Sequence, residues 1–171
     1  MKSKIIYYLF IVFFIFVFVV FFKGLNNSNI YTPNTEIKII PEFKSKNLTN
    51  EKELNSIDIF SKEKFYLLNI WSSWCIPCKD EHPLLVDLGR NEKIELIGLN
   101  YKDNFNNAQK FITELGNPYS IILLDEKGTI AIEWGAFGVP ETFLIYEKEI
   151  IKRYIGPLNK ESINEIEKYI K

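Results

Sequence analysis

Metal-binding side chains are scarce in this chain of 171 residues: it has two cysteines, Cys75 and Cys78, and a single histidine, His82. A structural zinc site takes about four such ligands, so these three do not complete one. The eight glycines do not gather into a Gly-rich phosphate loop, and no internal repeat is visible. Basic charge is not in excess either. Lys and Arg number 21 against 22 Asp and Glu, and setting aside Lys2 and Lys4 leaves a net charge of −3. Nucleic-acid binding usually shows as a basic patch, so the composition lends no support to a nucleic-acid partner.

Charge, glycine and proline are all missing from residues 5–22, where only Tyr7 and Tyr8 are partly polar. As a helix this run is about 27 Å long, close to the hydrocarbon thickness of a bilayer. A cleaved signal peptide would have a shorter apolar core and a small-x-small cleavage site. The residues that follow, Phe21-Phe22-Lys23-Gly24-Leu25-Asn26, offer no such site, so an uncleaved single-pass anchor is expected. Lys2 and Lys4 lie before the run and only Lys23 directly after it. The positive-inside rule then places residues 1–4 in the cytoplasm and the body of the chain outside. In a bacterium that means an inner-membrane protein with a periplasmic, oxidising surrounding. Residues 23–36, with Asn26, Asn27, Ser28, Asn29 and Pro33, read as a linker.

What the chain does have is Cys75-Ile76-Pro77-Cys78, directly behind an apolar run. Three residues is about one helical turn, which brings both sulfurs to one helix end. A C-x-x-C pair can carry reversible dithiol–disulfide exchange, in which one thiolate attacks a disulfide and the other resolves the mixed disulfide. A structural bridge closing so short a loop would add little stability. Cys75 is the expected nucleophile, because a helix N-terminus offers unpaired N–H groups and a favourable dipole to a thiolate. Cys78, one turn inward, is the expected resolving thiol and the more buried of the two. Pro77 restricts the backbone between them and bears on the reduction potential.

The remaining pattern alternates strands and helices. Residues 65–71 form an apolar run of strand length, suited to a buried central strand. A helix is predicted from the cysteines to about Gly89, kinked by Pro83. Strands are expected at 94–100, 120–124, 142–146 and 150–155, the last two as a hairpin, with a turn at 125–128. Helices are expected at 108–115 and after Asn159. Before these, a short strand at 37–43 broken by Pro41 and a short helix near 50–55 are predicted. The order predicts an α/β fold, a central sheet with helices on both faces.

Four stretches resemble one family, the membrane-anchored thiol:disulfide interchange proteins of cytochrome c maturation, DsbE/CcmG. They are Leu68-Asn69-Ile70-Trp71-Ser72-Ser73-Trp74-Cys75-Ile76-Pro77-Cys78 with Glu81-His82-Pro83, then Gly98-Leu99-Asn100-Tyr101-Lys102-Asp103, then Trp134-Gly135-Ala136-Phe137-Gly138-Val139-Pro140-Glu141-Thr142-Phe143, and the N-terminal anchor. The resemblance implies a thioredoxin-like three-layer α/β/α sandwich with a central mixed sheet over 37–171. It implies a reductant of apocytochrome c, or of a partner thiol protein, with no cofactor or metal beyond the Cys75–Cys78 pair. It also implies re-reduction by a DsbD/CcdA-type membrane electron donor. A general TlpA/ResA-type periplasmic thiol reductase is the alternative, and a non-catalytic module holding apocytochrome or copper a more remote one.

The same resemblance implies a cis Val139–Pro140 bond opposite the cysteines, where the Val139 backbone can pair with substrate. Sequence alone favours trans. Trp74 is a candidate docking surface, and Trp71 reads as core. Thioredoxins carry a buried Asp six residues before the first cysteine. Here that position is Asn69, which cannot take a proton, so Glu141 or Glu81 becomes the candidate acid that tunes the dithiol. His82 is expected to face solvent or to cap. The loop 100–103 reads equally as a docking element and as a plain connection.

Overall fold

The structure, a computed structural model, describes residues 2–26 and 39–170. The chain divides into two units, residues 1–35 and 36–171. The first holds helix α1, Lys2–Asn26, and Ile5–Lys23 within it is long and apolar enough to cross a membrane. Residues 23–26 of the expected linker are therefore helical. The one glycine in that stretch, Gly24, does not end the helix, and an established helix extends at little cost. The rest of the expected linker, 27–36, lies outside the described residues.

The second unit opens with two departures from expectation. Of the strand predicted at 37–43, residues 37 and 38 lie outside the described residues. Ile39 makes only an isolated bridge to Glu149, and Pro41 has no N–H to carry a ladder onward. In place of the helix near 50–55 stands a small antiparallel pair, β1 (Lys44–Lys46) with β2 (Glu53–Asn55). Helix α2, Ser56–Ile59, follows at once, capped by the Asn55 side chain, which accepts from Asp58 N at 2.8 Å.

The main sheet follows the expected order. Strands β3 (Phe65–Trp71), β4 (Ile94–Tyr101) and β5 (Ile121–Asp125) run parallel. Strands β6 (Glu141–Tyr146) and β7 (Glu149–Ile155) join antiparallel, giving the order β5-β4-β3-β6-β7. The β6–β7 hairpin turns through Glu147 and Lys148, both at positive φ, as a tight two-residue connection requires.

Alternation along β3 divides the core. Leu67 and Trp71 pack on one side with α3 (Ile76–Leu88), α4 (Phe105–Leu115) and α6 (Lys160–Tyr169). Tyr66, Leu68 and Ile70 pack on the other with α2 and α5 (Thr129–Glu133). With side chains buried on both faces, β3 needs the continuous apolar run that marks it in sequence. The result is the expected three-layer mixed-sheet sandwich. Helix α3 runs unbroken through Pro83 and ends before Gly89. Helix α5 was not expected. It is too short to show periodicity, and its cap comes from the sheet: buried Asp125 accepts from Ile130 N at 3.3 Å and Ala131 N at 2.8 Å.

One glycine is set by close approach. A Cβ on Gly98 would stand 2.8 Å from Trp71 Nε1 and 3.0 Å from the Tyr119 ring. These two rings stack at 5.8 Å under the loop that carries the cysteines. Register brings the working ends together, since Trp71 pairs with Asn100 and Ile70 with Glu141. The end of β3, the end of β4 and the start of β6 thus meet at one edge.

Candidate active site

Cys75 and Cys78 are joined by a disulfide, with Cα atoms 5.3 Å apart. Cys75 is the N-cap of α3, and its sulfur accepts from Cys78 N at 3.2 Å. Pro77 falls in the first helical turn, where a missing N–H leaves no bond unmade. The expectation that Cys78 is clearly the more buried does not hold: the residues are 3% and 2% exposed. In the disulfide form the Cys75 sulfur is tied to Cys78 and folded back over the helix start. The residues flanking Cys75 in the chain are exposed and apolar, Trp74 at 57% and Ile76 at 72%. Trp71 is core, as expected.

Across the edge, the Val139–Pro140 bond is cis. Val139 is partly buried against the core cluster that contains both cysteines. The sequence-predicted residues Trp74, Cys75, Pro77, Cys78, Val139 and Pro140 are therefore brought together. Glu141 belongs to the same edge, but its carboxylate is engaged elsewhere. It accepts from Phe137 N at 3.0 Å and is ion-paired with Arg153 Nε. Arg153 also donates to Gly135 O at 2.7 Å and lies over the Phe137 ring at 4.5 Å. Arg153 escaped the sequence reading, although a signal existed. It is one of two arginines beside 19 lysines, and arginine is favoured over lysine where an ion pair is buried.

The acid one turn beyond Cys78 is Glu81, and it is buried. Its Oε1 accepts from Asn69 Nδ2 at 2.9 Å and its Oε2 from Leu158 N at 2.6 Å. Asn69 also donates to Thr142 Oγ1 at 3.0 Å and accepts from Tyr119 OH at 2.7 Å. Burial pushes the Glu81 carboxyl up to about 7, against the lowering effect of its Leu158 and Asn69 donors. Burial, and then the Glu81 charge, also raises Tyr119. Asn69 has thus become the neutral hub of a network whose acid comes from the helix.

This network sets a pH dependence. The native state holds the Glu81 proton more tightly than the unfolded chain, whose carboxyl ionises near 4.5. Stability from this group is present below pH 4.5 and is lost as the pH rises toward 7, by about 3 kcal/mol. Urea unfolding at pH 5 and pH 8 checks it: the wild type carries this loss, and Glu81→Gln lacks it.

His82 does not face solvent. It is buried, with Nε2 donating to Gly116 O at 2.9 Å and its ring edge-on to Phe111. It thereby caps the end of α4, and burial lowers its pKa. Among the described residues no group of three or more His, Cys, Asp or Glu is placed to hold a metal ion.

The loop at the end of β4 supports the site. Asp103 receives Ser73 N at 2.6 Å and Ser73 Oγ at 2.8 Å, and Trp74 Nε1 donates to Lys102 O at 3.1 Å. Tyr119 carried no signal of its own in sequence, and Ser73 stood within the family-like string that leads into the cysteines. Asp103 stood within a family-like string whose task spacing alone could not show.

Comparison with known proteins agrees with this geometry. The redoxin family model matches residues 35–170. The chain is 37% identical over 139 residues to the thiol:disulfide interchange protein DsbE of Haemophilus influenzae, covering 81% of this chain and 72% of that one. It is 41% identical over 109 residues to the thiol:disulfide interchange protein CycY of Rhizobium leguminosarum bv. viciae, covering 63% and 59%. The aligned part thus spans somewhat under two thirds to nearly three quarters of these relatives. In fold, the chain matches a putative thiol:disulfide interchange protein DsbE from Chlorobium tepidum with a TM-score of 0.65 at 18% identity, over 78% of this chain and 95% of that one. A C-x-x-C pair capping a helix beside a cis-proline loop, on a chain with these relatives, leads to one conclusion: it belongs to the redoxin family and, within it, to the DsbE/CcmG thiol:disulfide interchange proteins.

Proposed function

We propose that this chain is a thiol:disulfide oxidoreductase that reduces disulfides of apocytochrome c, or of a partner thiol protein, during cytochrome c maturation. The observation that carries the reading is the redox pair at the N-terminus of α3, beside the Val139–Pro140 loop, in a DsbE-type chain. In the reduced form, Cys75 thiolate attacks one sulfur of the substrate disulfide and the other leaves as a thiolate. A mixed disulfide joins enzyme to substrate. Cys78 thiolate then attacks the Cys75 sulfur, the second substrate thiol leaves, and the Cys75–Cys78 bond closes. The two electrons given to the substrate are restored by a membrane dithiol donor of DsbD/CcdA type.

Glu81 suits the second step. It lies one helical turn from Cys78, and a carboxyl near 7 can take the Cys78 proton at neutral pH. Glu141 contributes differently, shaping the Phe137–Pro140 loop through Arg153. Helix α1 anchors the chain in the inner membrane, with Lys2 and Lys4 in the cytoplasm and the redox unit in the periplasm.

The test is the equilibrium reduction potential of the full chain in detergent, poised in dithiothreitol or glutathione buffers. A reductant lies well below the roughly −120 mV of a strong periplasmic oxidant. A value near that oxidant would make this chain a disulfide donor.

A further inference from the structure

Glu81 stands at one end of a chain of buried side chains, and Tyr119 stands at the other. Tyr119 OH donates to Asn69 Oδ1 at 2.7 Å, and Asn69 Nδ2 donates to Glu81 Oε1 at 2.9 Å and to Thr142 Oγ1 at 3.0 Å. The local sequence aims that hydroxyl. Asn69 and Gly98 are ladder partners. With no side chain on Gly98, the Tyr119 ring comes to within 3.0 Å of where a Cβ would stand. Trp71 stacks on the ring at 5.8 Å, and Asn117 Oδ1 accepts from the Tyr119 N–H at 3.0 Å.

A side-chain amide has one accepting and one donating end. Asn69 turns its NH2 toward Glu81, which suits a carboxylate that only accepts. A protonated Glu81 needs an acceptor for its own O–H, and Asn69 supplies one only by turning its amide over. Tyr119 opposes that turn, because its buried O–H would lose its acceptor. The other titratable groups about Glu81 do not touch the amide in the described structure. On α3 they are Cys78, one turn back, and His82, whose Nε2 is committed to Gly116 O at 2.9 Å. On β7 there is Tyr154, the ladder partner of Thr142, with Glu165 of α6 beside it.

Resting on the base role given to Glu81 above, we infer that Tyr119 is a positioning residue for disulfide closure. Its hydroxyl fixes the Asn69 amide with the NH2 toward Glu81, and so keeps that carboxyl able to take the Cys78 proton. It acts only through Asn69. A tyrosine that merely packed would be replaced without consequence by phenylalanine, which keeps the ring and its stack on Trp71.

The first measurement needs no activity. The full chain in detergent, in its disulfide form and carrying 13C-labelled glutamate, is titrated by NMR, and the Glu81 carboxyl is assigned as the resonance missing from Glu81→Gln. Tyr119→Phe is expected to raise its midpoint by about one pH unit, the tenfold change that a hydrogen bond to a charged group is worth. In an Asn69→Leu background the same change moves it no further. The second measurement follows the reduced chain with a short peptide whose Cys-x-x-Cys-His segment is oxidised, by acid quenching and mass spectrometry. Tyr119→Phe forms the mixed disulfide at the wild-type rate. Its closure slows about fivefold at pH 7, as ionised Glu81 becomes scarcer, and recovers at higher pH.

An unmoved midpoint in Tyr119→Phe, an equal shift in the Asn69→Leu background, or a rate lowered alike at every pH overturns the role of Tyr119. Closure in Glu81→Gln as fast as in the wild type overturns the base role of Glu81 instead, and that of Tyr119 falls with it. Should Tyr119→Phe fail to fold, 3-fluorotyrosine at position 119 decides: as a stronger donor it lowers the midpoint, and a midpoint that stays or rises overturns the inference.

Discussion

Cys75→Ser is expected to bring disulfide reduction to the rate seen without protein, whereas Cys78→Ser should stop the reaction one step later and accumulate a mixed disulfide. The asymmetry follows from position. The Cys75 sulfur lies at the N-terminus of α3, where Cys78 N already points at it at 3.2 Å. In the dithiol form that N–H and the helix dipole hold the charge of a Cys75 thiolate. A serine hydroxyl at that position stays protonated at neutral pH and attacks no disulfide. Cys78 lies inside the helix, and the sulfur it reaches is that of Cys75, with which it forms the disulfide. With serine there, nothing releases the adduct. Non-reducing gels and mass spectrometry with the Cys-x-x-Cys-His peptide read both outcomes. An adduct trapped on Cys78 in Cys75→Ser, at a rate comparable to the wild type, would reverse the assignment.

Arg153→Ala should cost about 3–5 kcal/mol of unfolding free energy, because it strands a buried charge. Glu141 has no exposed surface, and its oxygens are served by Phe137 N and Arg153. The ladder partners of Glu141 are Ile70 on β3 and Ile155 on β7, neither of which is a cation. The loss also unpins Gly135 and Phe137, both held by the guanidinium. Replacing both members, Glu141→Met with Arg153→Met, should lose far less than the single change, since an apolar pair leaves no buried charge behind. Urea unfolding of the two variants checks the prediction. A loss under about 1 kcal/mol in Arg153→Ala would mean that water reaches the carboxylate and that the pair behaves as a surface one.

The sheet was legible because its signals are local and strong. Residues 65–71 announced β3 to the residue, and the polar Glu147-Lys148-Glu149 announced the hairpin, although Glu149 itself belongs to β7. Legibility ended where a structure depends on a distant partner. Helix α5 takes its cap from Asp125 in the sheet, and the pair β1–β2 is made of three-residue strands that no period can reveal. At the site, the redox pair and Pro140 were carried by motif. Glu81 was harder, because Asp80-Glu81-His82 has the composition of an exposed helix face. Its burial comes from the Leu158 N–H and Asn69, which are brought to it only by the folded sheet and the turn before α6. For His82 the capping half of the expectation held and the solvent-facing half did not, its Gly116 partner lying 34 residues away.

The antiparallel entry of β6 also has a consequence for how the protein comes into being. Asn69 and Thr142, which touch across the β3–β6 ladder, are 73 residues apart in sequence. Cysteines 75 and 78 therefore emerge from synthesis well before the proline loop that faces them. Long-range strand pairing is a slow part of folding, so the young chain passes through a stage in which it owns a reactive dithiol but no substrate cleft. During that interval its thiols are as open to stray oxidants and misplaced partners as those of any unfolded client, and selectivity arrives only when the sheet closes.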